Sequence, residues 1–344
     1  MAMSIIAPDI GLDLGSSNTL MCVKGRRVTI DEPTLVVTAA SDKRMVRAVG
    51  EEASDLLGRT TDQLTAIHPV VAGIVDDFDS TEVLVRYFMR KAIGVSHLMK
   101  PRVLCAVPTD LPAVNRKALV EAVTIAGARR KAVYMVDKPL CAALGSGLNA
   151  YDPSGLMIVD IGGGTTSTAV ISLGGVVVSQ TIQVGGDQMD MAIVSYLKKN
   201  SSVVIGQRTA EVLKKDLASA LPTKDERSTR IRGRDLFSAH AMSVEFTAAQ
   251  AYDAVREPCA AILQSIKWVL ERTPPELAAD IMRGGIHLTG GGSQLFAMDQ
   301  FIASNVGIPV MLAVEPEYST IQGISFLLDN ADLFDAIARK NLHQ

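Results

Sequence analysis

What this 344-residue chain lacks narrows it first. Its four cysteines, Cys22, Cys105, Cys141 and Cys259, are scattered and form no CxxC pair. That excludes a disulfide framework or a zinc ribbon and fits reduced, buried thiols in the cytosol. No apolar run reaches the roughly 18 residues of a membrane-spanning helix, and MAMSIIAPDIGLDLG lacks the basic and long apolar segments of a secretion signal. Any membrane contact is therefore expected to be peripheral. Basic excess is also missing: the formal net charge is −3, so no global field recruits nucleic acid. The charged stretch KDERSTRIRGRD, residues 224–235, reads instead as a solvated turn and an edge strand. Five histidines fall in no metal-ligand spacing, and neither a GxxxxGKS/T loop nor a GxGxxG turn opening a helix occurs.

What is present begins with length and apolarity. A chain of this length with 48% hydrophobic residues most naturally builds two α/β lobes with substantial cores. The stretches IGLDLGSSNTLMCVKGRRV, residues 10–28, and IVDIGGGTTSTAVISLGGVV, residues 158–177, carry one device twice. Asp13 falls on Asp160, Gly15 on Gly162, Ser16 and Ser17 on Gly163 and Gly164, Asn18 on Thr165, and Thr19 on Thr166. In each, an apolar strand ends in an acid, a turn of small residues follows, and a second strand leads away, which predicts a β-hairpin. Either turn alone could use its glycines for geometry only. Repeated, the pair suggests backbone and hydroxyl donors converging on phosphate oxygens from two sides of a cleft. Asp13 and Asp160 would stand beside those phosphates and hold magnesium through its water shell.

Between and after these turns strands and helices alternate. Helices are expected over 48–60, over 80–94 with Ser80 or Thr81 as cap, over 115–128 ended by Gly127, and over 185–200. The 208–221 segment is amphipathic, with Val212, Leu213, Leu217 and Leu221 predicted to face inward. Residues 257–282 should form one long helix stopping before Pro274 and a second beginning after it. IHLTGGGSQL, residues 286–295, repeats the strand and glycine turn a third time. There SQLFAMDQFIASNVG reads as a following helix, so the turn would offer donors at a helix N-terminus. A final helix within 314–329 is expected to return to the first lobe.

DLGSSNT, DIGGGTT and LTGGGSQL together resemble the superfamily of actin, sugar kinases and DnaK-type ATPases. IDEP, AVGEEASDLLGRT, VGGDQMDMAI, IRGRDL and LERTPPELAADIM make the chain similar, from residue 9 to about 330, to the MreB bacterial actins of rod-shaped cells. The resemblance implies a two-lobed actin-like (ribonuclease H-like) α/β fold, each lobe with a core and a smaller subdomain, and ATP with magnesium in the cleft between the lobes. The first lobe would span 1–150 with 318–344 returning to it; the second would span 151–317, its smaller subdomain roughly 185–245. Implied partners are further copies of the chain in paired protofilaments, the inner face of the cytoplasmic membrane, and the cell-wall elongation machinery. Ser16, Ser17 and Asn18 would form the first phosphate turn, Gly163, Gly164 and Thr165 the second, and Gly290, Gly291, Gly292 and Ser293 the remaining nucleotide turn. Glu211, Val212, Leu213 and Lys214 match the adenosine-contacting segment; the bland reading of Glu211 and Lys214, three apart on one helix face, is a surface ion pair.

Two departures from the family pattern bear on chemistry. Where the family reads Glu-Glu-Pro this chain reads Asp137-Lys138-Pro139. The second acid is expected to orient the attacking water, which a charged lysine cannot do, so ATP hydrolysis should be slow or absent. Lys138 would either hold the γ-phosphate as a point charge, turn to solvent, or pair with Asp137. Asp137 is a poor substitute if the two are neighbours on one strand and face opposite sides. The second departure is Ser167, where the family carries an acid. For the membrane, Ile5 and Ile6 are too few for a helix, leaving Leu98 and Met99 beside Lys100 as an apolar tip, or else a loop packed on its own lobe. A sugar kinase of the same superfamily is the alternative, but no motif supplies its catalytic carboxylate or acceptor pocket. A chaperone reading would need a β-rich peptide domain that the 344 residues do not contain.

Overall fold

The structure is a computed structural model that describes residues 8–26, 28–56, 63–94, 100–222, 224 and 226–341. The chain divides into two compact units, one drawn from residues 1–153, 171–179 and 318–344, the other from 154–170 and 180–317.

The first unit is built on β1 (Ile10–Leu14), β2 (Asn18–Val23) and β3 (Val28–Pro33), then β4 (Val36–Ala39) and β5 (Asp42–Val49). Helix α1 (Glu51–Leu56) buries Ala53, while residues 57–60 of the expected helix lie outside the described residues. The chain continues through β6 (Leu64–Ile67), β7 (Val70–Val71), β8 (Ile74–Val75), α2 (Phe78–Ile93), β9 (Val103–Val107), α3 (Ala113–Ala126), β10 (Val133–Asp137) and α4 (Lys138–Gly145). The cap of α2 is Asp77, whose carboxylate accepts from Ser80 N–H at 2.9 Å, rather than Ser80 or Thr81. Both hydroxyl residues are buried, and Thr81 donates back to the Asp77 carbonyl, so the cap lies three residues before Ser80 and four before Thr81. Gly127 ends α3 at φ 137°, as its position predicts.

The second unit contains β11 (Leu156–Ile161), the start of β12 (Thr166–Ser172) and the end of β13 (Gly175–Ile182), whose residues 171–179 group with the first unit, then α5 (Gly186–Ser201), β14 (Val203–Val204), α6 (Gln207–Leu217), β15 (Ser228–Asp235) and β16 (Ala241–Thr247). It closes with α7 (Ala248–Arg272), α8 (Pro275–Gly284), β17 (Ile286–Thr289), α9 (Met298–Val306) and β18 (Val310–Leu312). The stop before Pro274 and restart after it are as the prolines dictate. Strand β15 is not an edge: it lies between β14 and β16 and pairs with β16 from Ser228 to Arg234. Only Ile231 of that strand is buried, so its charges stay in solvent while its backbone is paired on both sides. The last helices, α10 (Ser319–Asp329) and α11 (Ala331–Asn341), cluster with the first unit.

The repeat seen in the turns extends to whole sheets. The first unit's main sheet runs β3-β2-β1-β9-β10 and the second runs β13-β12-β11-β17-β18. Each has its acid-bearing strand in the middle, a meander on one side and parallel strands on the other. Beneath the first sheet, Ile10, Leu12, Met21, Leu84, Phe88, Val103 and Val123 share one core. All four cysteines are free and buried, in keeping with their spacing. Among the described residues no helix is long and apolar enough to cross a membrane.

Candidate functional site

Asp13 is the next-to-last residue of β1 and Asp160 the next-to-last of β11. Each faces the end of a parallel neighbour, Asp13 opposite Ala106 and Asp160 opposite Thr289. Both acids thus stand at the carboxyl ends of parallel strands, where α/β sheets place their ligands. The two turns close identically: Gly15 N–H donates to Asn18 O at 3.1 Å, and Gly162 N–H to Thr165 O at 2.8 Å. They are hairpins, as the sequence predicts.

The first unit brings together Asp13, Ser16, Ser17, Asn18, Asp137 and Lys138. Thr34 N–H holds the Ser17 carbonyl at 2.8 Å. Because a trans peptide points its C=O and N–H in opposite directions, that bond turns the Asn18 amide away from Thr34. Gly73 N–H donates to the Ser16 hydroxyl at 3.1 Å, fixing a side chain whose partner the sequence did not reveal. Asn18 donates its side-chain amide to Asp31 at 3.1 Å, and Tyr318 donates to the other oxygen of the same carboxylate. The amide expected to face phosphate is therefore already engaged by Asp31.

Lys138 is not a strand neighbour of Asp137, because β10 ends at Asp137 and Lys138 is the first residue of α4. The alternation that would put the two on opposite faces stops at that junction. Lys138 Nζ lies 3.2 Å from Asp13 Oδ1, with side chains only 17% and 10% exposed. It has not turned to solvent. One turn into α4, burial pushes the Cys141 thiol well up from its usual range, with the charges of Asp13 and Asp137 adding and that of Lys138 opposing. All three charges thus act on the start of this helix.

The second unit assembles a denser group around Asp160. Gly186 and Asp187, opening α5, donate to the carbonyls of Gly162 and Gly163 at 3.0 and 2.9 Å. By the same trans-peptide rule the amides of Gly163 and Gly164 are turned away from α5, the orientation an anion would need. A Cβ on Gly185 would lie 2.4 Å from Gly163 O, so only glycine admits this packing of helix on turn. Thr166 donates to Val184 O at 2.7 Å, and Thr289 donates to Asp160 Oδ1 at 3.1 Å. Ser167, where the family carries an acid, is buried with its hydroxyl 3.1 Å from that of Thr181.

The third glycine turn reaches the same place. Gly290 has φ 80°, and a Cβ there would lie 2.3 Å from Ile161 O and 2.7 Å from Asp160 Oδ1. A Cβ on Gly292 would lie 2.7 Å from Ile161 Cγ2. The segment after these glycines is not one helix: a single 3-10 turn, Gly291–Gln294, is followed by a break before α9. Phe296 causes it, because its carbonyl accepts from Ala220 N–H at 2.9 Å and its backbone bridges Ser219, which holds it extended. Donors at a long helix N-terminus are thus replaced by a short turn, in which Ser293 donates its hydroxyl to Gly290 O at 2.6 Å.

Glu211 and Lys214 do not pair with each other. Glu211 takes Lys215 at 2.7 Å, while Lys214 Nζ lies 2.8 Å from Asp190 and donates to Gly186 O at 2.9 Å. Lys214 therefore ties α6 to the start of α5, beside the second turn. Burial opposes ionisation of Glu211, but the hydrogen bond and charge of Lys215, with Lys214 and Arg208, hold its carboxyl below the usual value. Val212 is 53% exposed, against its predicted inward face. The inner stripe of α6 is Ala210, Leu213 and Leu217, and Val212 falls off that three-to-four spacing. Leu98 and Met99 lie outside the described residues.

Burial pushes the Asp190 carboxyl up to about 6 although Lys214 pulls it down. An acid whose folded value exceeds its unfolded one is stabilising when protonated, so its contribution is full below pH ~4 and is lost as pH rises through about 6. The stability of Asp190→Asn relative to wild type should therefore depend on pH, shifting in the variant's favour as pH rises from ~4 through about 6. Thermal melts of both proteins across that window check this; a difference that does not change with pH would overturn it.

A magnesium ion keeping its water shell asks for few carboxylates and room beside them. Among the described residues no three or more His, Cys, Asp or Glu side chains could hold a metal directly. Asp160, at the end of β11 with the Thr289 hydroxyl on its Oδ1, supplies one carboxylate for that outer role. The Asp13 carboxylate does not offer the same fit, because an ammonium already stands against it.

The family described as MreB/Mbl protein matches residues 7–336. The cell shape-determining protein Mbl of Bacillus subtilis is 41% identical over 328 residues, covering 95% of this chain and 98% of that protein. The cell shape-determining protein MreB of Escherichia coli K12 is 38% identical over 329 residues, covering 94% of each. Among solved structures, MreB5 of Spiroplasma citri bound to AMPPNP superposes with a TM-score of 0.88 at 32% identity, covering 98% of both chains.

Proposed function

The chain belongs to the MreB/Mbl family of actin-like cell shape-determining proteins, and on that premise we propose that it is an ATP-binding cytoskeletal protein whose nucleotide controls assembly. The observation that carries this is the duplicated turn. Two sheets of like strand order each end their middle strand in an acid and a turn of small residues, with carbonyls tied back and amides turned outward. Such turns suit phosphate oxygens, and the AMPPNP carried by the Spiroplasma protein supports the same reading. Ser16, Ser17 and Asn18, with Gly163, Gly164 and Thr165, bind the phosphates; Gly290, Gly291, Gly292 and Ser293 support them; the Glu211–Lys214 segment lies toward the adenosine. Magnesium, held through water by Asp160, supplies charge neutralisation to the phosphates.

Assembly is into paired protofilaments on the inner face of the cytoplasmic membrane, where they direct the cell-wall elongation machinery, with Leu98 and Met99 as the contact to lipid. Hydrolysis is slow, because Lys138 stands where a water-orienting acid is expected and an ammonium accepts no proton. Pelleting and negative-stain electron microscopy of the purified chain test the reading. Filaments that form with ATP and are lost in Asp160→Ala are the expected result. A chain that stays in the supernatant with ATP and instead phosphorylates a small hydroxylated acceptor would overturn it.

A further inference from the structure

Lys138 and Asp13 meet within the first unit, at the edge of its small-residue turn. Lys138 opens α4, where the helix dipole disfavours a cation and the first turn holds no acid of its own. Its side chain is mostly withdrawn from water, which costs an ammonium more unless a carboxylate meets it. The carboxylate it meets is Asp13, at the end of β1 and two residues before the small-residue turn Gly15–Asn18. A positive charge is therefore built in beside the phosphate turn, at the acid that would otherwise face the triphosphate through magnesium and its water.

We infer that Lys138 is a tethered cation that takes over, at Asp13, the charge neutralisation expected of magnesium, so that this protein binds nucleotide with little dependence on the metal. The inference rests on the ATP-binding reading and adds to it which cation the first turn uses. With an acid at 138, Asp13 and its neighbour would present two negative charges to the phosphates, and only an added divalent ion could reconcile them. With lysine, Asp13 and Lys138 sum to zero. The ammonium is also a point-charge partner for phosphate oxygens that needs no fixed geometry. Asp160, at the end of β11, keeps its carboxylate for a hydrated metal. Magnesium then strengthens binding modestly instead of being required.

The test is the affinity of a fluorescent ATP analogue for the full chain, measured with excess magnesium and again with a chelator. Wild type should change by less than about threefold, whereas Lys138→Glu should lose at least about tenfold on chelation and recover with magnesium. Lys138→Gln, which removes the charge without adding another, should also become metal-dependent. It serves if the glutamate variant fails to fold, as judged by circular dichroism melts. Wild type that loses as much affinity on chelation as Lys138→Gln overturns the tethered-cation inference alone. Wild type that binds the analogue in neither buffer overturns the nucleotide reading beneath it.

Discussion

Lys138→Glu should raise the rate of phosphate release from ATP by on the order of 10²-fold over the wild-type chain, the range a positioned general base contributes. The wild-type residue is an ammonium 3.2 Å from Asp13, at the first position of α4. It cannot take a proton from water, and its charge draws Asp13 toward itself and away from any attacking group. Glutamate at the same helix start would also suit the dipole that lysine opposes. Asp137 stands one residue earlier as the last residue of β10, opposite Val107, so its backbone is held by the sheet and not by the helix. Phosphate release from purified protein with magnesium is the measurement. Wild-type turnover well above background that Asp160→Ala abolishes would show that Lys138 does not silence hydrolysis. An unchanged rate in Lys138→Glu would show that the missing acid is not what limits it.

Gly145→Ala or Gly323→Ala should cost at least about 3 kcal/mol of stability, the upper range of overpacking a core. A Cβ on Gly145 would lie 1.8 Å from Ser319 O, and one on Gly323 would lie 1.9 Å from Cys141 O. These are backbone atoms of α4 and α10, so neither a rotamer change nor a flexible side chain can make room. The two helices must move apart, although alanine would otherwise favour α10 by about 1 kcal/mol over glycine. Because α4 begins with Lys138, the displacement should also weaken nucleotide binding, which separates this effect from a purely local one. Chemical denaturation of the full chain reads the cost. Loss of less than about 1 kcal/mol would mean that the helices part without strain.

Local rules made much of the fold legible. The small residues after Asp13 and Asp160 specify hairpins, Gly127 ends α3, and Pro274 separates α7 from α8, each through backbone preferences acting over a few residues. Where reading failed, a distant partner had intervened. Ala220 and Ser219 hold Phe296 extended and interrupt the helix expected after Ser293. The strands on either side of β15 convert a charged segment from an edge into a middle strand. Asp77 caps α2 because the buried Ser80 and Thr81 lie inside the helix.

The site divides along the same line. Residue identity and short spacing carry the two acids, their turns and the replacement of an expected acid by Lys138. What the charges touch came from packing: Lys138 on Asp13, and Lys214 on Asp190 and Gly186 in place of Glu211. Periodicity says which face of an element a side chain occupies. Packing between elements far apart in the chain selects the partner, and for a buried ammonium the partner sets its chemistry.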